Sequence, residues 1–308
     1  MKKEEILSIE VQELIKTELK AIEGSSLLKI TSFAHNYFHI NRLEDFFKLI
    51  ESPLPTDFLP RRMNVYYFIF LTKGNTTRSI GLETYEFGEN TFFFVPAHEI
   101  TTHKFVRNDV QGYYCHFDIQ LLAKHTIPKK IYSDFPFLEY NSFPLLEINP
   151  EAKSHIVSLL ERLLFEYQKG VNGRIEIFET YLLSLFTELQ PFVKRLSHNS
   201  INAALEITKE FKKALSKNIT HKNKVSDYAE LLNISPNHLN KCVKSATGKS
   251  ANDLVNEMLL LEAKVMLKQT NLSIKEIAYN VGKSEVSVFS RFFKTQTGIS
   301  PTDYRLLQ

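Results

Sequence analysis

Lys244-Ser245-Ala246-Thr247-Gly248-Lys249-Ser250-Ala251-Asn252-Asp253-Leu254 returns 50 residues later as Lys294-Thr295-Gln296-Thr297-Gly298-Ile299-Ser300-Pro301-Thr302-Asp303-Tyr304, with Lys, Thr, Gly, Ser and Asp identical among the eleven aligned positions. Upstream the match continues at an offset of 49, Tyr228-Ala229-Glu230-Leu231-Leu232 answering Ile277-Ala278-Tyr279-Asn280-Val281, so the second copy carries one inserted residue. Two copies of one supersecondary unit follow. Each reads helix, tight turn, helix. In the first, Ser226 is positioned to cap a helix through Leu232, Asn233-Ile234-Ser235 turns the chain, and Ser235 followed by Pro236 starts a second helix that Gly248 stops. In the second, Ser273 caps a helix to Val281, Gly282 supplies the turn, and Ser284 caps a helix that ends before Gly298.

This is helix-turn-helix geometry. The inward face of the first unit's second helix is expected to be Leu239, Cys242 and Val243, and that of the other Val288, Phe289, Phe292 and Phe293. Outward lie Asn237, His238, Asn240, Lys241 and Lys244 in one copy, and Ser287, Ser290, Arg291 and Lys294 in the other. Such side chains suit a major groove, because amides and imidazoles address base edges while Lys and Arg take guanine acceptors or phosphates. A solvated surface would carry similar residues; the tandem arrangement is what favours DNA. Between the units, Asn252 to Lys268 reads as one helix burying Leu254, Val255, Met258, Leu261, Val265 and Met266. At 1.5 Å per residue it is ~26 Å long, a spacer suited to placing two recognition helices in major-groove segments about 34 Å apart.

Charge divides in the same place. Residues 200 to 308 hold 16 Lys+Arg against 10 Asp+Glu, whereas residues 1 to 199 hold 22 against 25. A basic third joined to a mildly acidic remainder fits a nucleic-acid module attached to something that does not bind phosphate.

The run from about 225 to 305 resembles the DNA-binding domain of the AraC/XylS transcription regulators. The resemblance is carried by Leu272-Ser273-Ile274-Lys275-Glu276-Ile277-Ala278, Gly282, Phe289-Ser290-Arg291-Phe292-Phe293-Lys294 and Thr297-Gly298-Ile299-Ser300-Pro301-Thr302-Asp303-Tyr304-Arg305, with Ser235 to Leu239 and Lys244 to Ser250 matching in the first unit. It covers about a quarter of the chain and implies binding to double-stranded promoter DNA, contact with RNA polymerase and activation of transcription. Two positions depart from the family's pattern: Lys283 stands in a turn where Phe is usual, and Leu259 lies in the spacer where many members carry Arg. Lys283 adds a cation at the mouth of the second unit and joins the candidate DNA contacts.

Ahead of the repeat, residues 1–26 hold a helix, with Ile6, Ile9, Leu14, Ile15, Leu19 and Ile22 at helical spacings. Residues 27–148 change to aromatic and β-branched clusters such as Val65 to Leu71 and Thr91 to Val95, broken by Lys73-Gly74-Asn75 and Gly88-Glu89-Asn90. Short strands between Gly/Asn turns predict a small β-sandwich or barrel, and the resemblance implies a cupin-like β-barrel used for effector binding or dimerisation. Residues 150–196 form a helical connector with stripes at Ile156, Leu159, Leu160, Leu163, Leu164 and at Ile177, Phe178, Tyr181, Leu182, Leu185, Phe186, Leu189, read either as intramolecular core or as the seam of a homodimer. The polar run Ser197-His198-Asn199-Ser200 separates the connector from residues 200–308, the tandem helix-turn-helix domain. The fold class expected is therefore α+β, with an all-α carboxyl-terminal domain.

A small-molecule effector inside the barrel would draw polar contacts from Arg61, Arg62, Tyr66 and His98, although nothing in the sequence selects them over their neighbours. The rival function is a metal-dependent cupin-type enzyme fused to a DNA-binding domain. Its His-x-His pair belongs just before Val65, where the sequence reads Arg61-Arg62-Met63, and the spacings of His35 with His39 and of His98 with His103, or the lone His116, build no convincing ligand set. No nucleophile motif, Walker loop or dinucleotide turn occurs in a chain with 10 glycines. The expectation is a non-enzyme with no catalytic residue, metal or cofactor.

Broad composition agrees with this. In 308 residues, 43% are apolar and 24% charged, the pattern of about two ordinary globular domains. Cys115 and Cys242 offer no disulfide framework, no apolar run approaches the ~18 residues of a membrane span, and Glu4 and Glu5 stand where a signal peptide needs apolar residues. A cytoplasmic protein without membrane contact is expected.

Overall fold

The computed structural model describes residues 38–45, 59–103, 110–122, 128–139, 144–169, 175–193 and 203–307. The expected helix of residues 3–22, His35 and the separating run Ser197 to Ser200 lie outside the described residues. The described residues of the amino-terminal part include nine strands: β1 (Phe38–Arg42), β2 (Arg61–Arg62), β3 (Tyr66–Lys73), β4 (Asn75–Ile80), β5 (Glu83–Gly88), β6 (Thr91–Val95), β7 (Ile100–His103), β8 (Gln111–Phe117) and β9 (Leu145–Glu147). They pair as two sheets, one in the order β1-β8-β3-β6-β9 and one in the order β2-β7-β4-β5.

This corrects the expectation of a barrel. Among the described residues the two sheets face each other without closing, because no ladder joins an edge of one to an edge of the other. Gly74 (φ 85) carries the chain from β3 into the second sheet, and Asn90 (φ 62), whose N–H donates to the Leu71 carbonyl at 2.8 Å, returns it from β5 to β6. Both turns need a left-handed backbone, which Gly adopts freely and Asn tolerates.

Strands β3 and β6 are apolar on both faces because both faces are covered. Phe68, Phe70, Phe92 and Phe94 pack away from the second sheet, onto two helices, α2 (Pro150–Gln168) and α3 (Ile175–Leu189), which follow the short α1 (Pro128–Asp134). Tyr67, Ile69, Leu71, Phe93 and Val95 point between the sheets, against Met63 and Phe87. The connector stripes are intramolecular core: Ile156, Leu160, Leu163, Leu164, Phe178, Leu182, Leu185, Phe186 and Leu189 are buried in one cluster with the sheet's phenylalanines. Glu161 of α2 pins that layer, accepting both Arg42 contacts at 2.7 Å and the Tyr113 hydroxyl.

The carboxyl-terminal part is helical throughout: α4 (Ala203–Asn218), α5 (Val225–Leu231), α6 (Pro236–Thr247), α7 (Ala251–Gln269), α8 (Ile274–Asn280), α9 (Val286–Thr297) and α10 (Pro301–Leu306). Its core gathers Phe211, Tyr228, Leu239, Val243, Met258, Met266, Ile277, Phe289, Phe293 and Tyr304 around α7. No helix among the described residues is long and apolar enough to cross a membrane.

The second sheet rests on this helical core. Ile100 and Leu82 enter it, and Ser216 of α4 donates to Glu99 at 3.1 Å while Lys212 reaches Glu83 at 2.5 Å. At the centre, the Arg62 guanidinium donates to both carboxylate oxygens of Glu262 on α7, at 3.2 and 2.5 Å, and through Nε to the His98 carbonyl at 2.9 Å. The Gln269 amide brackets the Arg62 backbone, accepting from its N–H at 2.8 Å and donating to its carbonyl at 3.1 Å. The Arg62 and Glu262 side chains are 11% and 1% exposed, so removing one strands the other's charge out of water. Arg62→Ala and Glu262→Ala should each cost about 3–5 kcal/mol in chemical denaturation, while Arg62→Met combined with Glu262→Leu recovers most of it. Strictly additive losses across that double-mutant cycle would show the two charges to be uncoupled.

Candidate nucleic-acid interface

Each helix-turn-helix unit is set by its own backbone chemistry. Ser235 accepts from the His238 N–H at 3.1 Å at the start of α6, and Ser273 accepts from Glu276 at 3.2 Å at the start of α8, with the Glu276 carboxylate returning to the Ser273 N–H at 2.7 Å. Gly248 (φ 74) and Gly298 (φ 81) end α6 and α9 in the left-handed conformation. The inter-helix turn has Asn233 (φ 54) in the first unit and Gly282 (φ 71) at the same place in the second. A Cβ at Gly282 would also sit 1.7 Å from the Asn223 amide nitrogen, so that side chain would have to turn aside, but the left-handed backbone is what calls for glycine.

Two expected caps are corrected. Helix α5 begins two residues earlier than a Ser226 cap would allow, because the Asp227 carboxylate already accepts the Lys224 N–H at 3.2 Å. Helix α9 has Glu285 rather than Ser284 at its N-cap, without a side-chain cap bond, and the Ser287 hydroxyl lies 3.3 Å from the Glu285 carboxylate.

On α6, Asn237, His238, Lys241 and Lys244 are exposed, over a buried face of Leu239, Cys242 and Val243. On α9, Ser287, Arg291 and Lys294 are exposed over Phe289 and Phe293. Three expectations fail here. Asn240 is half-buried and its side-chain oxygen accepts from the Ala251 N–H at 2.9 Å, stitching α6 to the start of α7. Ser290, at the equivalent place in α9, is half-buried as well. Val288, expected inside, is 48% exposed. Lys283 is half-buried with its ammonium 4.8 Å from the Phe292 ring centre, so the cation is held against the unit by a cation–π contact.

Three surface lysines elsewhere in this domain are paired, Lys209 with Glu206, Lys213 with Glu210 and Lys249 with Glu257. Among the described residues, Lys241, Lys244, Arg291 and Lys294 make no such bridge. Four open cations on two outward helical faces form an anion-attracting surface.

Comparison with known proteins places this architecture. Residues 228–306 match a family described as "Helix-turn-helix domain". The matched segment is similar to the DNA-binding part of AraC-type regulators. The chain is 33% identical over 127 residues to the uncharacterized HTH-type transcriptional regulator YfiF of Bacillus subtilis, covering 41% of this chain and 40% of that protein. It is 29% identical over 137 residues to the Msm operon regulatory protein of Streptococcus mutans (44% and 49%), and 23% identical over 185 residues to the HTH-type transcriptional activator RhaR of Mannheimia succiniciproducens (58% and 65%). Each match covers less than two thirds of the relative's length.

Of the four residues expected to bind an effector, Arg61, Arg62 and His98 lie together at the sheet–helix junction and Tyr66 lies apart. Arg62 is committed to Glu262 and the His98 carbonyl. Tyr66 sits on the helix-covered side of its sheet, its hydroxyl 2.9 Å from that of Tyr132 and its ring stacked on Phe117. Arg61 is half-buried beside Arg62 on β2, paired with Thr101 of β7. His98 has a left-handed backbone (φ 68) and an imidazole pKa lowered first by burial of the covered part of its ring and then by the Arg62 charge, with Asp118 opposing. Among the described residues no group of three or more His, Cys, Asp or Glu is gathered to hold a metal.

The AraC/XylS resemblance did not reveal Glu262, Gln269, Glu99 and Ser216, which join the two halves. One signal was available: Glu262 interrupts Leu259-Leu260-Leu261 and Ala263 on the face of α7 that also buries Val265 and Met266, and an acid there demands a buried partner.

Two outcomes follow. Asn240→Ala should lower stability by about 0.5–1.5 kcal/mol while leaving base preference intact, checked by denaturation alongside binding to duplexes of different sequence; a change of preference at one base pair would restore the base-reading role. For His98, a lowered folded pKa means that the folded state binds fewer protons. Its contribution is therefore full above about pH 6.5 and is lost as the pH falls through the depressed folded value. The unfolding midpoint of the native chain should drop over that interval more steeply than that of His98→Gln, and parallel profiles would remove the histidine from the account.

Proposed function

We propose that this chain is a DNA-binding transcription regulator whose two recognition helices, α6 and α9, enter neighbouring major-groove segments of promoter DNA. The observation that carries the reading is the pair of outward faces with open cations, one at each end of a single buried helix. At 1.5 Å per residue the 19-residue α7 is ~28 Å long, close to one turn of B-form DNA. Lys241, Lys244, Arg291 and Lys294 supply phosphate contacts; Asn237, His238 and Ser287 are placed for base edges, while Asn240, Ser290 and Lys283 act as supports at the margins of the two faces.

The similarity to the transcriptional activator RhaR supports activation as the mode of regulation, and contact with RNA polymerase and pairing of two copies belong to the same reading. The amino-terminal sheets serve as the sensor layer for a small effector, in a cupin-like arrangement left open at its edges. The polar residues facing the space between the sheets, rather than the set around Arg62, are the better candidates for contacting it. This is a non-enzymatic role, with the chemistry confined to binding.

The test is equilibrium binding to duplexes selected from a random-sequence library. A two-part consensus with centres about one helical turn apart is expected, with log K falling against log salt at a slope near −4 if the four cations each neutralise one phosphate. Lys244→Ala should flatten the slope by about 1 and weaken all sequences by a similar factor. Salt-insensitive binding, or no enrichment of any sequence, would overturn the assignment.

A further inference from the structure

Helix α9 presents a feature that phosphate binding does not use. Val288 is 48% exposed and Val286 38% exposed, both in the first turn of the helix and on either side of Ser287. Valine is a poor helix former because its branched Cβ loses rotamer freedom against the preceding turn. With Val288 about half exposed, burial offsets that only in part, so local stability gives little reason for its presence there. On a helical wheel Val288 lies about 60° from Arg291 and about 100° from Ser287, at 100° per residue. It therefore shares the outward face with the residues proposed to enter the groove, and is not part of the Phe289–Phe293 core.

The first unit sets the contrast. At the repeat offset of 50, Val288 corresponds to His238, Ser287 to Asn237, Arg291 to Lys241 and Lys294 to Lys244. The cationic positions keep their charge in both copies. The slot at 238 and 288 changes from an exposed imidazole to an exposed isopropyl group. In a major groove an imidazole exchanges hydrogen bonds with base edges, whereas an isopropyl group has one apolar partner, the 5-methyl group of thymine.

We infer that Val288 is a specificity-determining residue that reads a thymine methyl in the half-site bound by α9, so the two half-sites are chemically unlike and fix the orientation of the protein on its DNA. This rests on the DNA-binding reading above and names the base class at one of its contacts. The contact requires no covalent step. Burying the methyl against the isopropyl group releases apolar surface from water, and a single methyl removed from such a contact costs roughly three- to tenfold in affinity.

The experiment takes the full chain and the duplex selected from the random-sequence library, and replaces each thymine in turn by deoxyuridine, which keeps every hydrogen-bonding group and lacks only the methyl. One position in the half-site footprinted by α9 should lose about three- to tenfold, and Val288→Ala should bind the thymine and deoxyuridine forms of that duplex equally. Val288→Thr, which keeps one methyl, should retain part of the discrimination. Circular dichroism checks the fold, and Val288→Ala at an exposed helical position should not lower helix content. The inference is overturned if the selected α9 half-site contains no thymine, if every deoxyuridine duplex binds as well as its parent, or if Val288→Ala keeps the discrimination. If the library yields no enriched sequence, the DNA-binding reading itself has failed; an enriched site indifferent to methyl loss sinks only the role of Val288.

Discussion

The ion pair between Arg62 and Glu262 sits where the two halves of the chain share one helix. Ten residues of α7 are buried, and they face three ways: toward the first helix-turn-helix unit, toward the second, and toward the four-stranded sheet. Taking both charges out of water costs several kcal/mol, and the cost is offset only by good geometry and by satisfying the remaining donors. Here the guanidinium has two carboxylate contacts and the His98 carbonyl, while Gln269 occupies the adjoining backbone. Such a set has little tolerance for sliding. It specifies which face of α7 meets the sheet more than it adds stability, because an apolar pair of similar volume would pack there without a desolvation cost.

That constraint bears on how the proposed sensing and DNA-binding parts would communicate. A rigid helix that fixes the spacing of α6 and α9 is gripped by the sheet region at Glu262 and Gln269, near its carboxyl end, and through α4 at Ser216 and Lys212. Anything that binds between the sheets could influence the outward faces of α6 and α9 only by favouring one arrangement of this grip over another, and only by its difference in affinity for the two. Strand β2 carries Arg62 and pairs with β7, which borders Glu99 and delivers Ile100 to the helical core. The physical route from the sheet interior to α7 is thus two short strands long.

What was legible in the sequence follows the range of the interactions. The tandem units were readable because local chemistry sets them: Ser235, Ser273, Gly248, Gly282 and Gly298 act within a few residues of themselves. The connector stripes at Ile156 to Leu164 and Phe178 to Leu189 were readable by period, but not what they cover, since a stripe looks the same against a sheet as against a second copy. The strands β3 and β6 announced themselves as apolar runs, while their division into two open sheets rests on pairing between residues far apart in the chain. Asn240 and Val288 were misplaced for one reason. A wheel drawn from sequence puts polar outward and apolar inward, and at these two positions the Ala251 backbone N–H holds an amide inward and an outward helical face leaves a valine exposed.

The five identities of the repeat show where duplication preserved structure and where it released function. Ser250 and Ser300 each accept an N–H from Asp253 and Asp303, both at 3.1 Å. Thr247 and Thr297 each donate to the carbonyl four residues earlier, Val243 at 2.8 Å and Phe293 at 2.9 Å. Gly248 and Gly298 donate their N–H groups to Lys244 and Lys294 at 3.0 and 2.8 Å. Four of the five shared residue types are therefore helix ends, retained because caps and left-handed turns admit few substitutes. The fifth, lysine, stands in the last turn of each recognition helix, where a cation is favoured by the helix dipole and also faces outward. The outward positions between those caps have no comparable constraint: Asn237 became Ser287 and His238 became Val288 on an unchanged scaffold. Identity between the copies reports how the units fold, and the differences between them are where a sequence-reading surface has room to distinguish one half-site from the other.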